Sequence, residues 1–215
     1  MSYELRTYNL LPGRLEDYLN LAANLESEIF GPDNGDDKFG KFEGQWYTEF
    51  GTLNQAVILV RYRRLGEGDS VRAEPFKNQE WQRFTQKIRS TLVAQETKML
   101  CALLPLQPPA GEGNVYELRT YRTRPVASSE WLEHFKSIMP VREKYSKNVG
   151  LWQTQIGQLD EVTHMWPYPD LNDRAIIRAK LKKNPEWQAF LQKGNPLLLN
   201  MESVVLNPTA NSAMK

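Results

Sequence analysis

The 215-residue sequence predicts an α+β protein made of two tandem ferredoxin-like (βαββαβ) repeats, and three observations support this. A six-residue motif, Tyr-Glu-Leu-Arg-Thr-Tyr, occurs at 3–8 and again at 116–121. Matches spaced by 106 residues then run from Trp46 and Trp152 to Glu96 and Glu202. Both halves change between strand-like and helix-like hydrophobic periods in the same order. Each unit has an uncovered sheet face, so we expect the two to pack sheet to sheet as a pseudo-twofold α+β barrel.

The individual elements follow from local patterns. Alternating apolar residues predict strands at 3–10, 45–50, 56–62 and 95–103 in the first repeat, and a last strand at 201–206 in the second. Helical spacing predicts helices after Pro12-Gly13, through Trp81 and Phe84, through Trp131 and Phe135, and from Asn184-Pro185 onwards.

The repeats also set the domain boundaries. The first repeat spans 1–105, a linker rich in Pro and Gly spans 106–114, and the second repeat spans 115–208. The small and polar residues 209–215 predict a flexible tail.

Composition excludes several classes of protein. Lys plus Arg number 27 and Asp plus Glu number 26, so the net charge of +1 offers no general attraction for nucleic acid. No apolar run is long enough for a membrane span, and no signal peptide is visible. A single cysteine, Cys101, excludes an intrachain disulfide and a multi-cysteine metal site. We therefore expect a soluble, cytoplasmic protein that neither enters membranes nor binds nucleic acid.

Three motifs in order resemble the NIPSNAP family. They are Tyr-Glu-Leu-Arg-Thr-Tyr at 116–121, Trp-x-Thr-x-x-Gly-x-Leu at 152–159 and His-x-Trp-x-Tyr at 164–168. The first repeat keeps the first two motifs but has Ile58 and Val60 in place of the histidine and tryptophan of the third. The resemblance implies the dimeric α+β-barrel superfamily, which includes cofactor-independent monooxygenases, lactone isomerases and haem enzymes. It implies no settled reaction.

Strand alternation also indicates candidate site residues. Since the helix-covered sheet face favours leucine, the charged face of each opening motif should point into the space between the sheets. That face carries Glu4, Arg6 and Tyr8 in the first repeat and Glu117, Arg119 and Tyr121 in the second. His164 and Trp166 share a face of the neighbouring strand and should lie near Arg119 or Tyr121. Glu96 and Glu202 should pair with Arg6 and Arg119.

Two interpretations of these residues remain open. In the first, they form a pocket in which His164 is a general base while Arg119 and Tyr121 stabilise an anion. In the second, they form a buried ion-pair network that fixes strand register, since both repeats keep Glu-x-Arg-x-Tyr. His164 has Ile58 as its counterpart and is the asymmetric candidate. No cofactor is predicted, although the haem enzymes of the superfamily make His164 an alternative haem ligand.

The functional prediction is therefore a protein that binds a small organic molecule inside the barrel. Cofactor-independent proton-transfer or oxygenase chemistry would suit such a site. The alternative is a non-catalytic scaffold or protein-interaction module with a filled barrel interior, whose outer surface binds a protein partner. An exposed aromatic patch at Phe39, Phe42 and Trp46 would support it. A homodimer is expected because barrels of this kind often expose sheet edges.

Overall fold

The computed structural model describes residues 1–29, 40–63, 77, 79–111 and 113–215. The first repeat contains β1 (Ser2–Leu10), α1 (Leu15–Ile29), β2 (Lys41–Phe50), β3 (Gln55–Tyr62), α2 (Gln79–Ile88) and β4 (Leu92–Ala102). The second contains β5 (Val115–Thr123), α3 (Ser128–Arg142), β6 (Gly150–Ile156), β7 (Glu161–Tyr168), α4 (Leu171–Lys182), α5 (Pro185–Gly194), a 3₁₀ turn (Asn195–Leu197) and β8 (Leu198–Pro208). Among the residues so described, no helix is long and apolar enough to cross a membrane.

The eight strands close into a barrel in the order β1-β3-β2-β8-β5-β7-β6-β4. The opening strands β1 and β5 lie centrally, each between two antiparallel partners of its own repeat. The repeats join where β2 pairs with β8 and where β4 pairs with β6. The predicted pseudo-twofold barrel of two ferredoxin-like repeats is thus confirmed. The dimer was predicted from exposed sheet edges, but these edge strands pair with each other within the chain. The oligomeric state therefore stays a prediction.

The barrel interior is filled by apolar side chains from both repeats. Tyr3 packs edge-on against Trp152 with ring centroids 5.8 Å apart, and Trp46 packs in the same way against Tyr116 at 5.5 Å. Aliphatic residues complete this cluster: Leu5, Val57, Leu59, Leu100, Leu118, Val149, Met165 and Leu206. Each large ring of one repeat thus contacts a ring of the other.

The charged motif residues face the helices, so their predicted orientation is wrong. They are Glu4, Arg6, Tyr8, Glu117, Arg119 and Tyr121. Tyr8 contacts Tyr18 of α1, and Tyr121 contacts Trp131 of α3. Apolar side chains fill the space enclosed by the eight strands, whereas charged groups in the gap between sheet and helices find polar partners. A ligand site formed by the motif must therefore lie in that gap and not inside the barrel.

The last seven residues pack against the barrel, in contrast to the predicted flexible tail. Met214 is buried in the interior cluster. Ser212 Oγ accepts a hydrogen bond from the Gln45 amide at 3.0 Å, and the Lys215 carbonyl accepts one from Asn114 Nδ2 at 2.8 Å. An apolar anchor and specific hydrogen bonds hold this segment, although its composition resembles that of a frayed end.

Helix α4 is the element that the sequence analysis does not predict. Asp170 caps its first turn by accepting a hydrogen bond from the Asp173 amide at 2.8 Å. The helix places Arg174 and Arg178 beside β5. At the 106-residue spacing its counterpart in the first repeat is residues 65–76, which lie outside the described residues.

Candidate functional site

Glu117 is the centre of a buried hydrogen-bond network in the second repeat. Its side chain is fully buried on β5. Oε1 accepts hydrogen bonds of 2.7 Å from Arg119 Nη1, Arg174 Nη2 and Ser203 Oγ. Oε2 accepts one from the Tyr168 hydroxyl at 3.3 Å and lies 3.6 Å from Arg178 Nη1. The carboxylate is therefore saturated by donors from β5, β7, β8 and α4.

The charge on Glu117 is stabilised by this surrounding shell. Burial by itself would raise its pKa, but the charge of Arg119 and the hydrogen bond from Arg174 outweigh burial and lower the pKa to about 2. Glu117 is thus an anion at neutral pH.

The first repeat contains the corresponding network. Glu4 is buried and accepts hydrogen bonds from Arg6 Nε at 2.6 Å, the Tyr62 hydroxyl at 2.7 Å and Thr97 Oγ1 at 2.7 Å. Burial opposes the charge on Glu4, yet the hydrogen bond from Arg6 helps to lower its pKa to about 2. Because both repeats build this arrangement, we assign the Glu–Arg pairs to the structural interpretation.

Glu96 and Glu202 do not pair with the motif arginines, so that prediction is wrong. Both side chains are exposed, and Glu202 accepts a hydrogen bond from Asn200 instead. In the sheet register, Arg6 lies opposite Thr97 and Arg119 lies opposite Ser203. A one-residue difference in register moves a side chain to the other face of the sheet.

His164 lies where the sequence predicted, opposite Arg119 on the neighbouring strand. Its Nδ1 accepts a hydrogen bond of 2.6 Å from Trp166 Nε1. Because an indole nitrogen only donates, a neutral His164 must carry its proton on Nε2. That nitrogen is buried and has no hydrogen-bond partner among the described residues.

Aromatic rings enclose His164. The rings of Tyr121 and Phe135 lie 4.8 Å and 5.0 Å from its centroid, and that of Trp131 lies 6.4 Å away. Burial lowers the pKa of His164 well below 6.5, and the positive charge of Arg119 acts in the same direction. His164 is therefore neutral at physiological pH.

A small cavity of about 40 Å³ lies beside His164 in the gap between sheet and helices. Its polar wall is formed by Arg119, Tyr121, Arg142, His164, Trp166 and Arg178, and the helices contribute aromatic rings. At about 10–15 Å³ per water, this space holds about three waters or a small polar group. The aromatic enclosure leaves no room for a macrocycle, so the arrangement does not fit His164 as a haem ligand.

Arg142 is a site residue that the sequence analysis missed. It is 3% exposed at the end of α3. Its Nη2 donates to the Tyr168 hydroxyl at 2.9 Å, and its Cζ lies 3.8 Å from the Trp166 ring centroid. No carboxylate of the described chain lies within 4.0 Å of it. The signal was present, because Arg142 continues the helical spacing of Trp131, Phe135 and Ile138 on the buried face.

Two other predictions concern a metal site and an exposed aromatic patch. Within the described ranges, no group of three His, Cys, Asp or Glu residues is arranged to hold a metal ion. Trp46, expected in an exposed patch under the scaffold alternative, is fully buried and Phe42 is half-buried. Phe39 lies outside the described residues.

Comparisons with known proteins agree with the two-repeat architecture. The sequence model of the NIPSNAP family matches residues 3–107 and 116–213. A NipSnap homolog from Dictyostelium discoideum is 29% identical over 96% of this chain and 86% of its own length. The structure resembles a proposed monooxygenase from Fusobacterium nucleatum, with a TM-score of 0.72 and 11% identity over 97% of this chain and 92% of that one. A second proposed monooxygenase, from Lactobacillus acidophilus, gives a TM-score of 0.67 and 13% identity over 100% and 98%.

Proposed function

The chain belongs to the NIPSNAP family, and we propose that its second repeat binds a small organic molecule in the cavity between the sheet and α3 and α5. One observation carries the proposal. His164 lines the cavity, and its buried Nε2–H has no hydrogen-bond partner among the described residues. Leaving a buried donor unpaired costs about 1–3 kcal/mol, so a site that keeps one is expected to satisfy it with a ligand or water.

The proposed chemistry is stabilisation of a negatively charged oxygen without a cofactor. His164 Nδ1 is occupied by Trp166, so His164 donates from Nε2 and is not the general base of the earlier hypothesis. The Tyr121 hydroxyl accepts a hydrogen bond from Arg119 Nε, which leaves its own proton to donate. Burial raises the pKa of Tyr121, so its hydroxyl stays protonated. Such donors suit an enolate formed by proton transfer or before oxygenation.

Trp166 is a positioning residue in this proposal, and Arg142 packs against it. Trp166 Nε1–H fixes the histidine tautomer, and the Arg142 guanidinium stacks on the Trp166 ring. The first repeat has Ile58 and Val60 at the positions of His164 and Trp166, and neither side chain has a polar atom to form this hydrogen bond. The asymmetry between the repeats therefore favours one ligand site in the chain, in the second repeat.

The test compares ligand binding with stability. A library of small acids, alcohols and amides is screened by thermal shift against the wild type, His164→Ile and Ile58→Val. His164→Ile copies the first repeat, and Ile58→Val is the matched control at the equivalent position. A compound that stabilises the wild type and the control but not His164→Ile supports the proposal. The proposal fails if no compound stabilises the wild type, or if every stabilising compound acts equally on His164→Ile.

A further inference from the structure

We propose that the ligand of this cavity is a small organic anion, a carboxylate or an enolate, whose charged oxygen lies between His164 and the guanidinium groups of Arg142 and Arg178. The inference rests on the proposed function and adds the charge of the ligand to it. It comes from the balance of charges and of donors around the cavity.

Positive charge exceeds negative charge at the site. Three guanidinium groups, those of Arg119, Arg174 and Arg178, lie within 4 Å of the Glu117 carboxylate. A fourth, that of Arg142, donates to the Tyr168 hydroxyl, which is also bonded to Glu117. Glu117 is already bonded to Arg119 and Arg174 and lies 3.6 Å from Arg178. Arg142 is almost fully buried without an ion-pair partner in the part of the chain that the structure describes. Burying a cation without a counter-ion is expensive, and an anion in the cavity would offset that cost.

Most polar side chains that line the cavity are donors, and only the Asn195 amide and the Tyr121 hydroxyl also carry acceptor oxygens among the lining side chains. His164, which is 3% exposed, contributes Nε2–H, and this group has no partner in the described part of the chain. Tyr121 contributes its hydroxyl proton. Trp131 lines the cavity, and its Nε1 also has no hydrogen-bond partner among the described residues. A ligand with several acceptor lone pairs satisfies these three donors.

Arg178 marks the more accessible side of the cavity. Its side chain is 39% exposed and extends from α4, whereas Arg142 and His164 lie deeper. Met201 of β8, which is 47% exposed, also borders the cavity. An anion entering here meets Arg178 first, so Arg178 can be changed with less disturbance of the buried network than Arg142.

The test uses two isosteric pairs, acetate with acetamide and propionate with propionamide. The members of a pair have the same shape and differ in charge. Binding to the full chain is measured by calorimetry, with sodium chloride matched for ionic strength. We expect propionate to bind at least about tenfold more tightly than propionamide. Arg178→Gln should remove most of that preference and leave propionamide binding unchanged, while Lys180→Gln on the same helix is the matched control.

The outcomes separate this inference from the proposed function. Equal binding of acid and amide, or a preference for the amide, overturns the inference that the ligand is an anion and leaves the proposed small-molecule site intact. Binding of neither member, up to the concentration at which sodium chloride alone changes the signal, also overturns the anion. The library screen with His164→Ile then decides independently whether the cavity binds any neutral compound. An acid preference that Arg178→Gln leaves intact contradicts the assigned position of the charge.

Discussion

At the scale of single residues, His164 should make folding stability depend on pH. Burial lowers its pKa in the folded protein well below the ordinary 6.5, so the unfolded chain takes up this proton first as the pH falls. The contribution is fully present above about pH 6.5 and is lost below it, by at most about 1.4 kcal/mol per pH unit. Glu117 has a pKa of about 2 when folded and an ordinary value of 4.5, so its own contribution is lost mainly below pH 4.5.

Urea unfolding at pH 7 and pH 5 checks this prediction. The free energy of unfolding should fall more between the two values for the wild type than for His164→Ile. The variant should itself cost about 1–3 kcal/mol at pH 7, because Trp166 Nε1 loses its acceptor. His164→Gln, whose amide oxygen can accept from Trp166, should recover part of that loss. An identical pH dependence in wild type and His164→Ile would contradict the assignment of His164 as a buried neutral group.

The sequence predicted which residues matter better than it predicted where they point. The repeated Glu-x-Arg-x-Tyr motif and the asymmetric His164 both belong to the observed clusters. Their orientation was predicted from a preference of leucine for the helix-covered face. In this fold the barrel interior is the more apolar side and takes Tyr3 and Leu5 instead. A strand pattern separates the two faces of the sheet. It does not show whether the charged face points to the barrel interior or to the helices.

At the scale of secondary-structure elements, α4 connects sheet and site. The sequence carries a clear start signal for it: Asp170 is followed by twelve residues of which eight are Leu, Ala, Lys or Arg, all good helix formers. The βαββαβ template has no place for a third helix in a repeat, so it did not predict α4. Arg174 and Arg178 were missed for the same reason. Their partnership with Glu117 depends on tertiary packing that no local pattern reveals.

The cap of α4 gives a test at this scale. Asp170→Ala removes the hydrogen bond to the Asp173 amide and should lower stability by about 1 kcal/mol. Because α4 carries Arg178, the same change should weaken binding of propionate. Asp170→Ser keeps a capping oxygen and should restore both properties. Chemical denaturation and calorimetry of the three proteins measure the effects. A loss of stability in Asp170→Ala with unchanged propionate binding would separate α4 from the site.

Strand register explains the other error at this scale. The sequence placed Glu96 and Glu202 next to the motif arginines because both lie on the correct strands. The actual pairing sets Thr97 and Ser203 opposite Arg6 and Arg119. Thr and Ser each donate one hydrogen bond to the buried carboxylate, whereas a second carboxylate there would add like charge. Register depends on both strands and on their bulges, so one sequence pattern cannot fix it.

At the scale of the whole molecule, the interior rings couple the two repeats. Trp152 belongs to β6 but packs against Tyr3 of the first repeat. Trp152→Ala should cost about 3–5 kcal/mol and should destabilise β1 as well as β6. Hydrogen exchange should therefore show lost protection in both repeats. Val93→Ala, at a 64% exposed position, is the control and should stay within about 0.5 kcal/mol of the wild type. Loss confined to the second repeat would mean that the repeats unfold separately.

The central claim is that the cavity beside His164 attracts a small anion, and anomalous diffraction from a crystal soaked in sodium bromide tests it most directly. Bromide is a compact anion that suits a space of about 40 Å³. We expect an anomalous peak in the gap between sheet and helices, next to His164 Nε2 and the guanidinium groups of Arg142 and Arg178. Bromide at the surface or inside the barrel, with none in this cavity, would contradict the proposal that the cavity binds a small anion.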